Sequence, residues 1–136
     1  MSMKMEHQVF QDSMSFLPCP LRKLPDAFGL TPSKSWYPHC FNTEENLKYV
    51  SPMPDVSYNC VNEMGEEERQ EFLAWYDDSR KSKEPFDNRR VLVKYIQDDI
   101  TVLREACRVF GREFMHIGNI EVFPESITFA SVCSKV

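Results

Sequence analysis

At 136 residues and 16.0 kDa, the chain has room for one domain or part of one. Apolar residues make up 42%, enough for a packed core, which excludes wholesale disorder. The formal charge of −5, from 16 basic and 21 acidic groups, argues against a free-standing nucleic-acid binder. Most of the excess acid lies between residues 61 and 100. No run of about 18 apolar residues occurs, so the sequence predicts no membrane span. Residues 1–11 are polar, with Lys4, Glu6 and His7, and lack the apolar centre of a secretory signal. The five cysteines are odd in number and form no Cys-x-x-Cys pair. They predict reduced thiols in an intracellular compartment, and the chain is expected to be soluble, in either the nucleus or the cytoplasm.

In chain order, Val9-Phe10 before Asp12 reads as the end of a strand. Seven of the nine prolines lie before residue 55, so residues 1–60 read as a Pro-rich extended and loop region with short elements. One short helix is expected between Pro20 and Gly29. Leu21, Leu24 and Phe28 recur at helical spacing, and Gly29 suits the C-terminal cap. Residues 61–136 read as helical. Asn62 is the expected cap of a helix with Glu63, Glu66 and Glu67 in its first turn. Phe72, Leu73 and Tyr76 are its expected buried stripe, with Trp75 at the margin, and Ser79 to Glu84 is a charged connector. A long helix follows over about Phe86 to Met115, ended by Gly118-Asn119. A last short helix starts near Pro124 and turns Ile127, Ala130 and Cys133 inward.

The long helix holds the most informative residue. Leu92, Tyr95, Ile96, Leu103 and Ala106 share one face, and Asp99 falls on it, while Asp98 points away toward solvent. A carboxylate in an apolar stripe is costly unless it is paired or binds a metal. Tyr95, one turn earlier, can bring its hydroxyl to the same place. From the residues alone, an ion pair with an Arg or Lys elsewhere is the commoner reason for a buried Asp99. Other signals are weaker. His39-Cys40 is at most half of a zinc site, and the four isolated glycines form no phosphate-binding loop. Lys34 beside Trp36 and Tyr37 joins a cation to stacking rings, as in single-strand contacts, although such a trio by itself more often marks a solvated loop.

Several blocks in order carry a resemblance. They are Asp12-Ser13-Met14-Ser15-Phe16-Leu17-Pro18-Cys19-Pro20-Leu21, Lys34-Ser35-Trp36-Tyr37-Pro38-His39, Glu71-Phe72-Leu73, Trp75-Tyr76, Tyr95-Ile96-Gln97-Asp98-Asp99 and Ile127-Thr128-Phe129-Ala130-Ser131. From about Phe10 onward the chain resembles the C-terminal half of the 3′–5′ exonuclease domain of protein-primed family B DNA polymerases. These are the organellar and viral enzymes, with the Maverick/Polinton transposon branch as the nearest likeness.

The resemblance implies an α/β, ribonuclease-H-like parental fold. Residues 1–136 would be a partial exonuclease domain, mainly α, with a Pro-rich loop region and few short strands. It places Tyr95 and Asp99 in the third exonuclease motif, Asp99 as a metal ligand and Tyr95 orienting the attacking water. Lys34 and Tyr37 match a Lys-x-x-hydrophobic motif, which makes Lys34 a further catalytic candidate. Ser13 and Leu17 match the motif that binds the single-stranded primer end, with Met14 where the family has Leu. Ser13, Leu17, Lys34 and Tyr37 are therefore the expected DNA contacts.

The implied activity is that of a DNA-directed DNA polymerase, a nucleotidyltransferase of DNA replication that uses Mg2+ or Mn2+. Its implied partners are DNA, dNTPs and a terminal-protein primer. No Asp-x-Glu pair and no polymerase motif occurs in the chain, so the isolated chain is expected to be inactive. The rival expectation is a decayed or domesticated remnant that binds single-stranded DNA or protein without catalysis.

Overall fold

The computed structural model describes residues 2–31, 35–82 and 84–136. These are mainly helical, with few and short strands. The chain divides into two compact units, one of residues 1–34 with 99–136 and the other of residues 35–98.

The first unit opens with an antiparallel hairpin, β1 (Ser2–Met5) and β2 (Gln8–Gln11), in which Met3 pairs with Phe10 and Met5 with Gln8. The strand ending at Val9-Phe10 is thus present, although Val9 and Phe10 are both exposed. Gln11 anchors the hairpin, its Nε2 donating to Phe123 O (3.0 Å) and Ser126 O (3.1 Å). Asp12 then starts a short 3-10 turn, Ser13–Ser15, by accepting from Met14 N at 3.0 Å.

The expected helix before Gly29 is a 3-10 turn, Leu21–Lys23, running into α1 (Leu24–Phe28). Gly29 ends it at φ 61°, a left-handed conformation that costs glycine little.

The core of this unit gathers Phe16, Leu17, Leu24, Val102, Ala106, Phe110, Val122 and Val132. Phe16 lies edge-on to Phe123 at 5.2 Å between centroids. Val102, Ala106 and Phe110 succeed one another at intervals of four, the repeat of one helix face.

The second unit pairs β3 (Val50–Ser51) with β4 (Phe86–Asp87) and carries α2 (Glu66–Lys81). Its helix start corrects the sequence expectation. Gly65, not Asn62, is the N-cap, and Asn62 lies in a 3-10 turn, Val61–Glu63. The Arg69 guanidinium donates to Val61 O and Met64 O and holds that stretch as a turn. Starting at Glu66 places Glu66, Glu67 and Glu68 at the positive end of the helix dipole and Arg80 and Lys81 at the negative end. The helix therefore extends into the expected connector as far as Lys81. Phe72 and Tyr76 face inward, but Leu73 is 40% exposed, because a pair at i and i+4 suffices for so narrow an apolar face.

The long helix, α3 (Asn88–Gly118), starts two residues later than expected and runs three residues further. Phe86 and Asp87 belong to β4, and Asp87 Oδ1 accepts from Arg90 N (3.0 Å), capping the first turn. Asn119, at φ 53°, ends the helix where the Gly118-Asn119 pair predicts.

Beyond it, the single C-terminal helix expected from Pro124 is two short ones, α4 (Val122–Glu125) and α5 (Phe129–Cys133). Extended Ser126 breaks the run, and a capping box between Thr128 and Ser131 restarts it. The restart changes the helical phase. Val122, Ser126 and Val132 are buried, while Ile127, Ala130 and Cys133 are exposed.

This phase yields a direct test. Phe16→Ala should cost about 3–5 kcal/mol in urea unfolding, and Ile127→Ala less than about 0.5 kcal/mol. A large loss from Ile127→Ala would return that side chain to the core.

Candidate functional site

The residues singled out by sequence are distributed over α3 and the segments of each unit. In the second unit, Tyr95 is buried and bracketed by two rings. Its centroid lies 5.5 Å from that of Tyr37 and 5.2 Å from the edge-on imidazole of His39. Tyr37 is itself buried, and its hydroxyl donates to Asn88 Oδ1 at 2.9 Å. Asn88 is fully enclosed at the start of α3. Its Nδ2 donates to Asn46 O (2.9 Å) and its backbone N–H to Tyr49 O (3.0 Å). Burial pushes the Tyr37 pKa up, and the bond to Asn88 only partly offsets this. Tyr37 is thus a neutral donor over the physiological range. Trp36 packs against Phe72 (5.1 Å) and Trp75 (6.5 Å), so both rings of the cation-and-ring motif take part in packing of this unit. Lys34 lies outside the described residues.

Asp98 departs from expectation. It is half-buried, with its side chain 24% exposed, and its Oδ2 receives the Lys94 ammonium at 2.7 Å. Burial by itself would raise its pKa, but Lys94 and the Ser35 hydroxyl beside it more than compensate and hold it below the ordinary carboxylate value. The helical projection misplaced it because Lys94, one turn earlier, draws the carboxylate along the helix. The Lys-x-x-x-Asp spacing was the available signal.

In the first unit, Asp99 is half-buried, with its Oδ1 enclosed. It lies one turn after Tyr95 along α3, as the i and i+4 spacing requires. The apolar stripe drawn through them needs one correction. Ile96 is 48% exposed, while Tyr95, Val102 and Ala106 are buried. Ser13 is half-buried in its 3-10 turn, and Ser13 O accepts from Leu17 N at 2.8 Å. Leu17 is a core residue, 4% exposed, so it fixes the Ser13 turn from behind, while Met14 beside it is 55% exposed.

Sequence reasoning missed Asn88, whose place after Asp87 looks like a solvated helix start. A buried asparagine leaves no periodic trace. Among the described residues, no three His, Cys, Asp or Glu side chains group closely enough to hold a metal ion.

Comparison with known proteins gives the class. The model of one family, DNA polymerase type B, organellar and viral, matches residues 1–134. The chain belongs to that family. No curated protein and no solved structure matches it. DNA polymerases use divalent metal ions. Among the described residues, the His, Cys, Asp and Glu side chains do not group into such a site by themselves.

Two measurements test this geometry. Tyr37→Phe leaves Asn88 Oδ1 buried without its donor and should cost about 1–3 kcal/mol in urea unfolding. Restored stability in a Tyr37→Phe, Asn88→Leu double variant would confirm that the loss lies in the orphaned acceptor.

The second concerns pH. Asp98 has a lower pKa folded than unfolded, so its contact adds stability above the unfolded value of about 3.8. That stability is lost as the pH falls through the folded pKa. Lys94→Met should therefore lower the urea midpoint near neutral pH, with the gap to wild type closing in acid. A gap independent of pH would show that Lys94 does not set the titration of Asp98.

Proposed function

We propose that this chain is a fragment of a DNA-directed DNA polymerase of the protein-primed, Maverick/Polinton type, and that it comes from the 3′–5′ proofreading exonuclease domain. The observation that carries the reading is the family match over residues 1–134, combined with Tyr95 and Asp99 one turn apart in a continuous helix. On this reading the parental domain is an α/β, ribonuclease-H-like fold, and the enzyme acts in DNA replication.

Asp99 is one carboxylate of the exonuclease centre, a ligand for Mg2+ or Mn2+. Its companions, including an Asp-x-Glu pair, belong to sequence outside these 136 residues. Tyr95 orients the water. Its ring is packed against Tyr37 and His39, which restricts how the phenol can turn. Tyr37 serves that ring as a support rather than a base to stack on. Ser13 and Lys34 meet the primer end, one through its hydroxyl and the other through phosphate, while Leu17 holds the Ser13 turn against the core. The dNTPs and the terminal protein engage parts of the enzyme other than this chain.

The isolated chain should show neither 3′–5′ exonuclease nor polymerase activity. Metal-dependent degradation of a 3′-labelled single strand that vanishes in Asp99→Ala would overturn this. Joined to the segment that bears the Asp-x-Glu pair, the enzyme should proofread. Asp99→Ala should then lower proofreading by at least about 100-fold and Tyr95→Phe by about 10-fold. Polymerisation should survive both changes. Normal proofreading with Asp99→Ala would remove α3 from the exonuclease centre.

A further inference from the structure

All five cysteines are free thiols, but two of them meet. Cys40 Sγ and Cys60 Sγ stand 2.8 Å apart, within about 1 Å of a covalent S–S bond of about 2.05 Å. Both belong to the second unit. Cys40 lies in the 3-10 turn His39–Phe41, and Cys60 closes the turn Val56–Asn59. The two turns pack together through Phe41, whose ring meets that of Tyr58 edge-on at 5.0 Å. The thiols are therefore brought together by the packing on either side of them.

The Cys60 turn is held in a costly state. Cys60 has φ 53°, a left-handed conformation that residues with a side chain seldom adopt. Asn59 before it is buried, with neither Nδ2 nor Oδ1 hydrogen-bonded among the described residues. Costs of this kind persist where the surroundings impose them, and they cluster at functional positions.

We infer that Cys40 and Cys60 form an oxidative modification site, a dithiol that a low-molecular-weight disulfide such as oxidised glutathione converts to an intramolecular disulfide. Cys40 is exposed and opens the exchange. Its thiolate attacks one sulfur of the reagent, whose S–S bond breaks, and one glutathione thiol leaves with the electron pair. Cys60 is half-buried and follows as the resolving thiol. Its pKa is raised by its hydrogen bond to Cys40, then by burial, by the charge of Cys40 and by that of Glu63. It loses its proton to solvent, attacks the Cys40 sulfur, and the second glutathione thiol leaves. Two cysteine thiols lose two electrons, and the reagent is reduced to two thiols.

The bond would close the segment from 40 to 60. That segment supplies the Asn46 and Tyr49 carbonyls that receive Asn88, and His39, next to Cys40, packs on Tyr95. Oxidation thus tightens the surroundings of the α3 start without adding charge. This inference is independent of the polymerase reading.

The test equilibrates the full 136-residue chain with excess oxidised or reduced glutathione, alkylates the remaining thiols and maps the peptides. After oxidation, Cys40 and Cys60 should be joined, with Cys19, Cys107 and Cys133 alkylated. The oxidised chain should also have a higher urea midpoint and slower proteolysis between 40 and 60. In Cys60→Ser, glutathione should remain on Cys40. If Cys40 and Cys60 of the wild-type chain are both alkylated under excess oxidant, if glutathione persists on Cys40 there, or if another pair forms, the inference is overturned. The wild-type map decides this whether or not the variant folds.

Discussion

The enclosed side chain of Asn88 is the constraint on which the second unit depends. A primary amide removed from water must be bonded or it destabilises its surroundings. Here it donates to one loop carbonyl and accepts from one phenol, while its own backbone N–H takes a second carbonyl. Those three bonds fix the 46–49 loop and Tyr37 against the first residue of α3. Tyr37 in turn bears on Tyr95, two helical turns further on. A polar contact at the helix start therefore determines where an aromatic ring near the proposed catalytic residue can stand.

The first unit is organised differently, by shape rather than by polar bonding. Phe16, Leu17 and Leu24 enter from a proline-interrupted stretch whose regular elements are short, and they are held by a face of α3 repeating every four residues. Short elements suffice because they need not generate a face of their own. Asp12 and Gly29 only have to begin and end turns that deliver large side chains to a surface already formed.

Much of this was legible. Gly29 and the Gly118-Asn119 stop are local signals, and each marks a boundary that the structure keeps, while the prolines before residue 55 go with short elements there. The inward turn of Tyr95 followed from helical period alone. What failed depended on partners distant in sequence or on phase. Leu73 and Ile96 look buried because the projection assigns a wide apolar face, whereas the packing uses a narrower one. Ile127 and Cys133 were misassigned because a break at Ser126 resets the count. Asn88 and the Cys40–Cys60 meeting left no pattern, since both arise from chain segments that periodicity cannot bring together. The ordered sequence blocks carried the likeness to organellar and viral type B DNA polymerases, which the family match bears out. The side-chain environment of Asp98 was hidden by treating each helical residue as a spoke instead of a flexible arm.

The N-terminal hairpin carries a consequence for dynamics. Its described side chains Met3, Met5, Val9 and Phe10 are about half exposed, and Gln11, at the end of the second strand, makes the two bonds that anchor it to α4 and Ser126. A two-stranded ribbon held at one end opens from the other. Amide protons in the Glu6–His7 turn should therefore exchange with solvent long before those of the Phe16 core. The hairpin would behave as a separate cooperative segment whose opening leaves the helices intact.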